Sequence, residues 1–364
     1  MQCRSAVLRV VAAYWVGIMV LASNAQAQST PSSDFEQNEY VNKQTLTTRK
    51  ILVQTNDGLS LQATLSLPVT TKSERIPAVL LIQGSGPTDR DGNQPPALIT
   101  DLQKKVAFAL AGAGIASLRF DKRGLNGTFP AQPDQMASFS RWEHFVDDAL
   151  SAYRKLADRP EIDSQRIGIF GHSEGGMLAL EIATRLQRDG RPPATLVLAA
   201  TPGRTMDVVL RGQLEDLAKR QGGSAAAQAN ALGEVDRAIA AIKNSGRVPA
   251  DLPPNIAPIF PGYLGPFFQS WFAVNMIELA QQYSGPVLLV TGSDDKQVSP
   301  DSDTGPLAAA FNRRPRNDLK VMIIANASHN LKHMKDLHDP GIAGPLAPTV
   351  AKTLSAWFSL KLFQ

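Results

Sequence analysis

The chain has 364 residues, 43% of them hydrophobic and 19% charged, with a formal net charge of +4 and a single cysteine. This is ordinary globular composition, long enough for one large core. The charge is too small and too dispersed to argue for a nucleic-acid partner. The lone cysteine, Cys3, excludes a disulfide within the chain.

Residues 1–27 read as a secretory signal peptide. Arg4 and Arg9 give a positive start, Val10 to Leu21 is apolar, and Ala25-Gln26-Ala27 is an A-x-A cleavage site. The apolar run is short for a membrane span, so cleavage is expected over an uncleaved anchor. The expected location is periplasmic or secreted, with no stable membrane insertion after cleavage. The mature chain then has no thiol, which excludes cysteine nucleophiles and thiolate metal sites. Residues 28–46 are polar and lack periodicity, which predicts a flexible leader.

Two strands follow, at Lys50 to Thr55 and Leu59 to Leu67, joined by the turn signal Asn56-Asp57-Gly58. Leu59, Leu61, Ala63, Leu65 and Leu67 alternate with polar residues, so one face is buried. An antiparallel pair ahead of an alternating chain suggests a sheet edge. From Ile76 onward strands read at Ala78 to Ile82, Ile115 to Phe120, Arg166 to Phe170, Thr195 to Ala199, Val287 to Thr291 and Leu319 to Ile324. Helices read near Ile99 to Ala111, Trp142 to Leu156, Gly175 to Gln187, Ser302 to Phe311 and Thr349 to Phe358. The fold class is therefore α/β, a doubly wound, mostly parallel sheet covered on both faces.

Between about Gly203 and Tyr283 no strand is evident. Met206 to Arg220 and Ala225 to Asn244 read as helices, then come a proline-rich stretch and the aromatic patch Pro266 to Phe272. The expected division is core at 47–202, an inserted helical cap at 203–283, and core again at 284–364. The aromatics either glue the cap to the core or line a substrate pocket.

The chemistry gathers at the carboxyl ends of the strands, where such sheets bind ligands. Gly171-His172-Ser173-Glu174-Gly175-Gly176 sits between a strand and a helix, the setting of a nucleophile elbow. A serine hydroxyl needs a base, and the base needs an orienting acid. Downstream, the strand ending at Thr291 leads into Asp294 and Asp295, of which Asp295 is the favoured acid. The strand ending at Ile324 leads into His329, the favoured base, with His333 as runner-up. His144 falls within a helix, and His172, adjoining the serine at a tight turn, reads as structural support. Oxyanion donors are expected from the backbone N–H groups of Glu174 and Ser85, the latter in Gln83-Gly84-Ser85-Gly86-Pro87. The G-x-G here lacks the third glycine of a dinucleotide loop, and Asp89-Arg90-Asp91-Gly92-Asn93 lacks the pattern of a calcium loop. Those charges read as a loop-fixing network with Arg119, Asp121 and Arg123.

These stretches resemble the α/β-hydrolase superfamily. Gln83 to Asn93 and Arg119-Phe120-Asp121-Lys122-Arg123-Gly124 are similar to a bacterial branch of esterases and serine aminopeptidase-like hydrolases. The resemblance implies a Ser-Asp-His triad, a backbone oxyanion hole, no cofactor and no metal. The expected activity is hydrolysis of a small-molecule carboxylic ester through an acyl-enzyme. The alternative is a peptidase or amidase, whose amine anchor would be an acid such as Glu215, Asp216 or Glu234. A non-catalytic binding protein on the same scaffold is the remaining reading. Acyl length, alcohol and oligomeric state are not encoded in any visible motif.

Overall fold

Alternation of apolar and polar residues builds the first two strands. In the computed structural model, which describes residues 46–69, 74–130, 135–315, 318–336 and 339–364, β1 (Leu46–Gln54) and β2 (Ser60–Pro68) pair antiparallel. The expected signal peptide at 1–27 and the expected leader up to residue 45 lie outside the described residues. Leu61, Ala63, Leu65 and Leu67 are buried, while Ser60 and Gln62 point out. β1 begins at Leu46 and not at Lys50, so Leu46 belongs to the sheet and not to the leader. Its ladder with β2 runs the full length of both strands, and backbone pairing overrides the polar side chains of Thr47 and Thr48.

The rest of the chain alternates. In order come β3 (Ile76–Ile82), α1 (Leu102–Gly112), β4 (Ala116–Phe120), α2 (Met136–Phe139), α3 (Trp142–Ala157), β5 (Ile162–His172), α4 (Glu174–Arg188) and β6 (Thr195–Ala199). Then follow α5 (Met206–Gln221), α6 (Ala225–Ser245), α7 (Gly265–Phe272), α8 (Met276–Gln282), β7 (Val287–Gly292), α9 (Gly305–Asn312), β8 (Leu319–Ile324) and α10 (Pro348–Leu362). The strand order is β1-β2-β4-β3-β5-β6-β7-β8, parallel from β4 onward. Val79 and Leu81 of β3 pack against α1 and α10 through Val106, Leu110, Leu354 and Phe358. Ala78, Leu80 and Ile82 face α3 and α4 through Val146, Leu178 and Ile182. Burial on both faces explains why these strands are nearly all apolar. β8 closes one edge, and Val321 and Ile323 there are 40% and 45% exposed.

Two helix starts differ from expectation for a local reason. α1 begins at Leu102, not Ile99, because the backbone N–H groups of Thr100 and Asp101 bond to Asn93 Oδ1 at 2.8 and 2.7 Å. α9 begins at Gly305, not Ser302, after a wider π-helical turn over Pro300–Thr304 that Ser299 caps.

Between β6 and β7 the chain is helical. Phe267, Phe268, Trp271 and Phe272 of α7 are buried against one another, with Phe267 and Trp271 stacked at 5.4 Å. Phe267 also meets Phe145 of α3 edge-on at 5.5 Å, which ties the insert to the core. α8, within the stretch expected to be cap, packs instead beside α4 and α9. No helix among the described residues is long and apolar enough to cross a membrane.

Candidate active site

β5 runs into α4 with one residue between them, Ser173. That residue has φ 55° and ψ −123°, a conformation that costs a non-glycine residue about 1–3 kcal/mol. Two backbone bonds hold it, Ser173 N–H to Ala199 C=O and Gly176 N–H to Ser173 C=O, each 2.9 Å. The turn closes only around glycine. A Cβ on Gly171 would lie 2.2 Å from the carbonyl oxygen of Gly175, and one on Gly175 would lie 2.3 Å from that of Ile82.

The register of β7 with β8, Gly292 beside Ile324, brings the two following loops together. Asp295 is 3% exposed. Its Oδ1 accepts the backbone N–H groups of Gln297 and Val298 at 2.8 and 2.9 Å, and its Oδ2 faces His329 Nδ1 at 2.8 Å. A carboxylate at Nδ1 fixes the proton there and leaves Nε2 to accept. Asp294 accepts instead from the neighbouring Ser293 hydroxyl. His333 is exposed, His144 Nδ1 meets the Phe139 carbonyl at 3.1 Å, and His338 lies outside the described residues. Ser173 and His329 line one cleft.

His172 lies behind this pair. Its Nε2–H donates to the backbone carbonyl of His329 at 2.8 Å, and the two rings are 4.9 Å apart. Burial, followed by the charge of a protonated His329, pushes the His172 imidazole down to about 3, so it is neutral at ordinary pH.

The loop after β3 covers the serine. Gln83 is buried and donates from Nε2 to the Phe120 carbonyl at 2.9 Å. The Ser85 carbonyl accepts from Thr88 Oγ1 and Gln94 Nε2, both at 2.7 Å. These bonds hold Gly84 so close that a Cβ there would be 3.3 Å from Ser173 Cβ. The N–H of Glu174 is in the first turn of α4, where helix donors lack helical partners. Asp91 pairs with Arg119 at 2.9 Å, and Asp121 accepts the Arg90 N–H at 2.8 Å. Arg123 is not part of that network. It pairs with Asp148 at 2.7 Å and Asp57 at 2.9 Å, on the far side of its own strand end.

Two clefts flank the elbow, divided by the adjoining residues Ser85–Gly86 and Ser173–Glu174. One is aromatic, walled by Phe129, Phe139, Phe145 and Phe267, with a buried ion pair of Lys122 and Glu174 in it. The other is polar and holds Ser173, His329, Ser85, Thr100, Gln103 and Asn330. Phe267 thus serves as both packing and wall, and the other α7 aromatics serve as packing. Glu215 pairs with Arg211 and Lys219, Glu234 pairs with Arg237, and Asp216 is exposed; none lines either cleft. Among the described residues no group of three or more His, Cys, Asp or Glu is placed to hold a metal. Sequence reasoning missed Gln103 and the pairing of Lys122 with Glu174. Neither carries a local signal, since each depends on a distant segment.

A family model described as Thioesterase domain matches residues 131–238, a span that contains Ser173. Esterase EstD of Thermotoga maritima is 31% identical over 185 residues, covering 51% of this chain and 40% of that protein. The chain spans less than half the length of the curated relatives it matches. A solved esterase of Pyrococcus furiosus superposes with a TM-score of 0.55 at 14% identity, covering 95% of this chain and 98% of that one. A Mycobacterium tuberculosis puromycin-hydrolyzing peptidase gives 0.54 at 17% identity, over 87% of this chain and 39% of that one. With the parallel sheet, the antiparallel leading hairpin and these structural similarities, the chain has the α/β-hydrolase fold.

Proposed function

We propose that the protein is a serine carboxylesterase that works through an acyl-enzyme. The observation that carries this reading is the 2.8 Å contact of Asp295 Oδ2 with His329 Nδ1, in a cleft that His329 shares with Ser173 at its strained turn. Ser173 Oγ attacks the ester carbonyl while His329 Nε2 takes its proton. Asp295 stabilises the imidazolium. The N–H groups of Ser85 and Glu174 receive the oxyanion. His329 returns the proton to the leaving alcohol, and water repeats the cycle to free the acid. EstD, an esterase by name, is similar over the stretch it shares with this chain. The signal-peptide pattern of residues 1–27 supports a reaction in the periplasm or outside the cell.

Hydrolysis of p-nitrophenyl esters from acetate to palmitate tests this, with wild type beside Ser173→Ala. The expected outcome is short-chain activity that falls by at least about 10³ in the variant. A variant that keeps most of the wild-type rate overturns the assignment of the nucleophile.

A further inference from the structure

Resting on that reading, the two clefts divide the substrate between them. The base must face the oxygen it protonates. His329 lines the polar cleft and not the aromatic one. The alcohol half of the ester therefore enters the polar cleft, and the acyl half lies among Phe129, Phe139, Phe145 and Phe267.

The polar cleft contains hydrogen-bonding groups that the protein does not itself use. Gln103, in the first turn of α1, is 1% exposed, and neither its Oε1 nor its Nε2 has a hydrogen-bond partner among the described residues. The hydroxyl of Ser85 is likewise buried and without a partner there. Buried amides are nearly always satisfied, and each unpaired polar group costs about 1–3 kcal/mol. Nothing in the sequence forces this arrangement on the fold, because an apolar residue would fill the same space at lower cost. Gly92 makes room for the amide: a Cβ there would lie 2.2 Å from Gln103 Oε1.

We infer that the leaving alcohol carries further hydroxyl groups and that Gln103 is the residue that reads them. Its amide offers both N–H donors and an acceptor oxygen, which hydroxyl groups can satisfy in both senses. The substrate class is an ester of an apolar acid with a polyol.

The test compares glyceryl 1-monobutyrate with 2-methylbutyl butyrate, in which methyl groups replace both free hydroxyls. Wild type is expected to favour the glyceryl ester by about tenfold or more in kcat/KM. Gln103→Met is expected to bring that ratio close to one through loss on the glyceryl ester. A wild-type ratio near one, or a ratio unchanged in the variant, overturns the inference. Gln103→Leu, likewise unable to hydrogen-bond, replaces the Met variant if the latter does not fold, with the same loss of ratio expected. Calorimetric binding of the intact esters to Ser173→Ala separates the two readings. About tenfold tighter binding of the glyceryl ester supports the subsite whether or not wild type turns it over, and equal affinities overturn it. Absence of turnover of either ester by folded wild type overturns the hydrolytic reading alone.

Discussion

His172 and His329 are joined through one ring and one carbonyl: Nε2–H of the first donates to the backbone oxygen of the second at 2.8 Å. A carbonyl can only accept, so this bond requires a proton on Nε2, and burial keeps the ring neutral with that single proton. The bond reaches from the end of β5 to the loop after β8, 157 residues away, and fixes the backbone from which the His329 ring projects. Replacing His172 with Phe keeps a ring but removes the donor. We expect kcat on p-nitrophenyl butyrate to fall about 10- to 100-fold with little change in KM, because orientation is lost and not binding. An equal loss in KM would mean that His172 contacts substrate instead.

The same burial has a sign in pH. A His172 ring held near 3 binds no proton in the folded state, whereas the unfolded chain binds one below about 6.5. Its contribution to stability is therefore complete above about pH 6.5 and is lost as pH falls toward 3. Urea unfolding at a series of pH values should show a shallower acid limb for His172→Phe than for wild type.

Lys332 sits fully buried three residues after His329, and burial followed by the nearby Lys105 ammonium lowers its amine to about 6. Unfolded, the same amine titrates near 10.5. Between those values the unfolded chain holds the extra proton, so stability rises with pH across that window. Lys332→Met is expected to raise the melting temperature at pH 7 by several degrees and to flatten the rise between pH 7 and 10. A variant that melts lower than wild type at pH 7 would show that the amine is a structural partner.

Asp295→Asn should leave the fold intact and cost about 10³ to 10⁴ in kcat, because the amide can present a donor to Nδ1 and reverse the tautomer. Circular dichroism beside ester turnover separates this from unfolding. The corresponding change at Asp294 should alter turnover by less than about threefold.

The Lys122–Glu174 pair is buried on both sides, with side-chain exposures of 6% and 5%. Lys122→Met leaves a carboxylate buried without its partner and is expected to cost about 3–5 kcal/mol in urea unfolding. Combining it with Glu174→Gln should recover most of that loss, since the uncompensated charge is gone. Equal destabilisation by the single and double changes would show that packing of the lysine stem is what matters.

Much of this was legible in one dimension because the determinants are local. The elbow is a short string whose glycines answer to one turn, and the strands are short apolar runs bounded by turn residues. Asp295 could be favoured over Asp294, and His329 over His333, only from their distance past a strand end. The structure separates each pair by partner: Asp294 turns to Ser293, while Asp295 turns to His329. What stayed hidden depends on pairs far apart in sequence. Gln103 shares a cleft with Ser173 and His329, His172 meets a carbonyl past β8, three strands away, and Arg123 bonds back to Asp57 rather than into the Asp91 network. The start of α1 was misplaced because Asn93 captures the N–H groups that would have extended it.

The proposed base, His329, and its proposed orienting acid, Asp295, follow the last two strands of the sheet, and β8 has one strand neighbour among the described residues. Its outward residues Val321 and Ile323 are largely uncovered. Edge strands open at lower free energy than the centre of a sheet. Ser173, by contrast, leaves from β5, which is hydrogen-bonded on both sides by β3 and β6. Nucleophile and base therefore sit on parts of the molecule with different local stability. On warming, the histidine is expected to lose its place first, so that inactivation precedes melting of the core and is reversed on cooling.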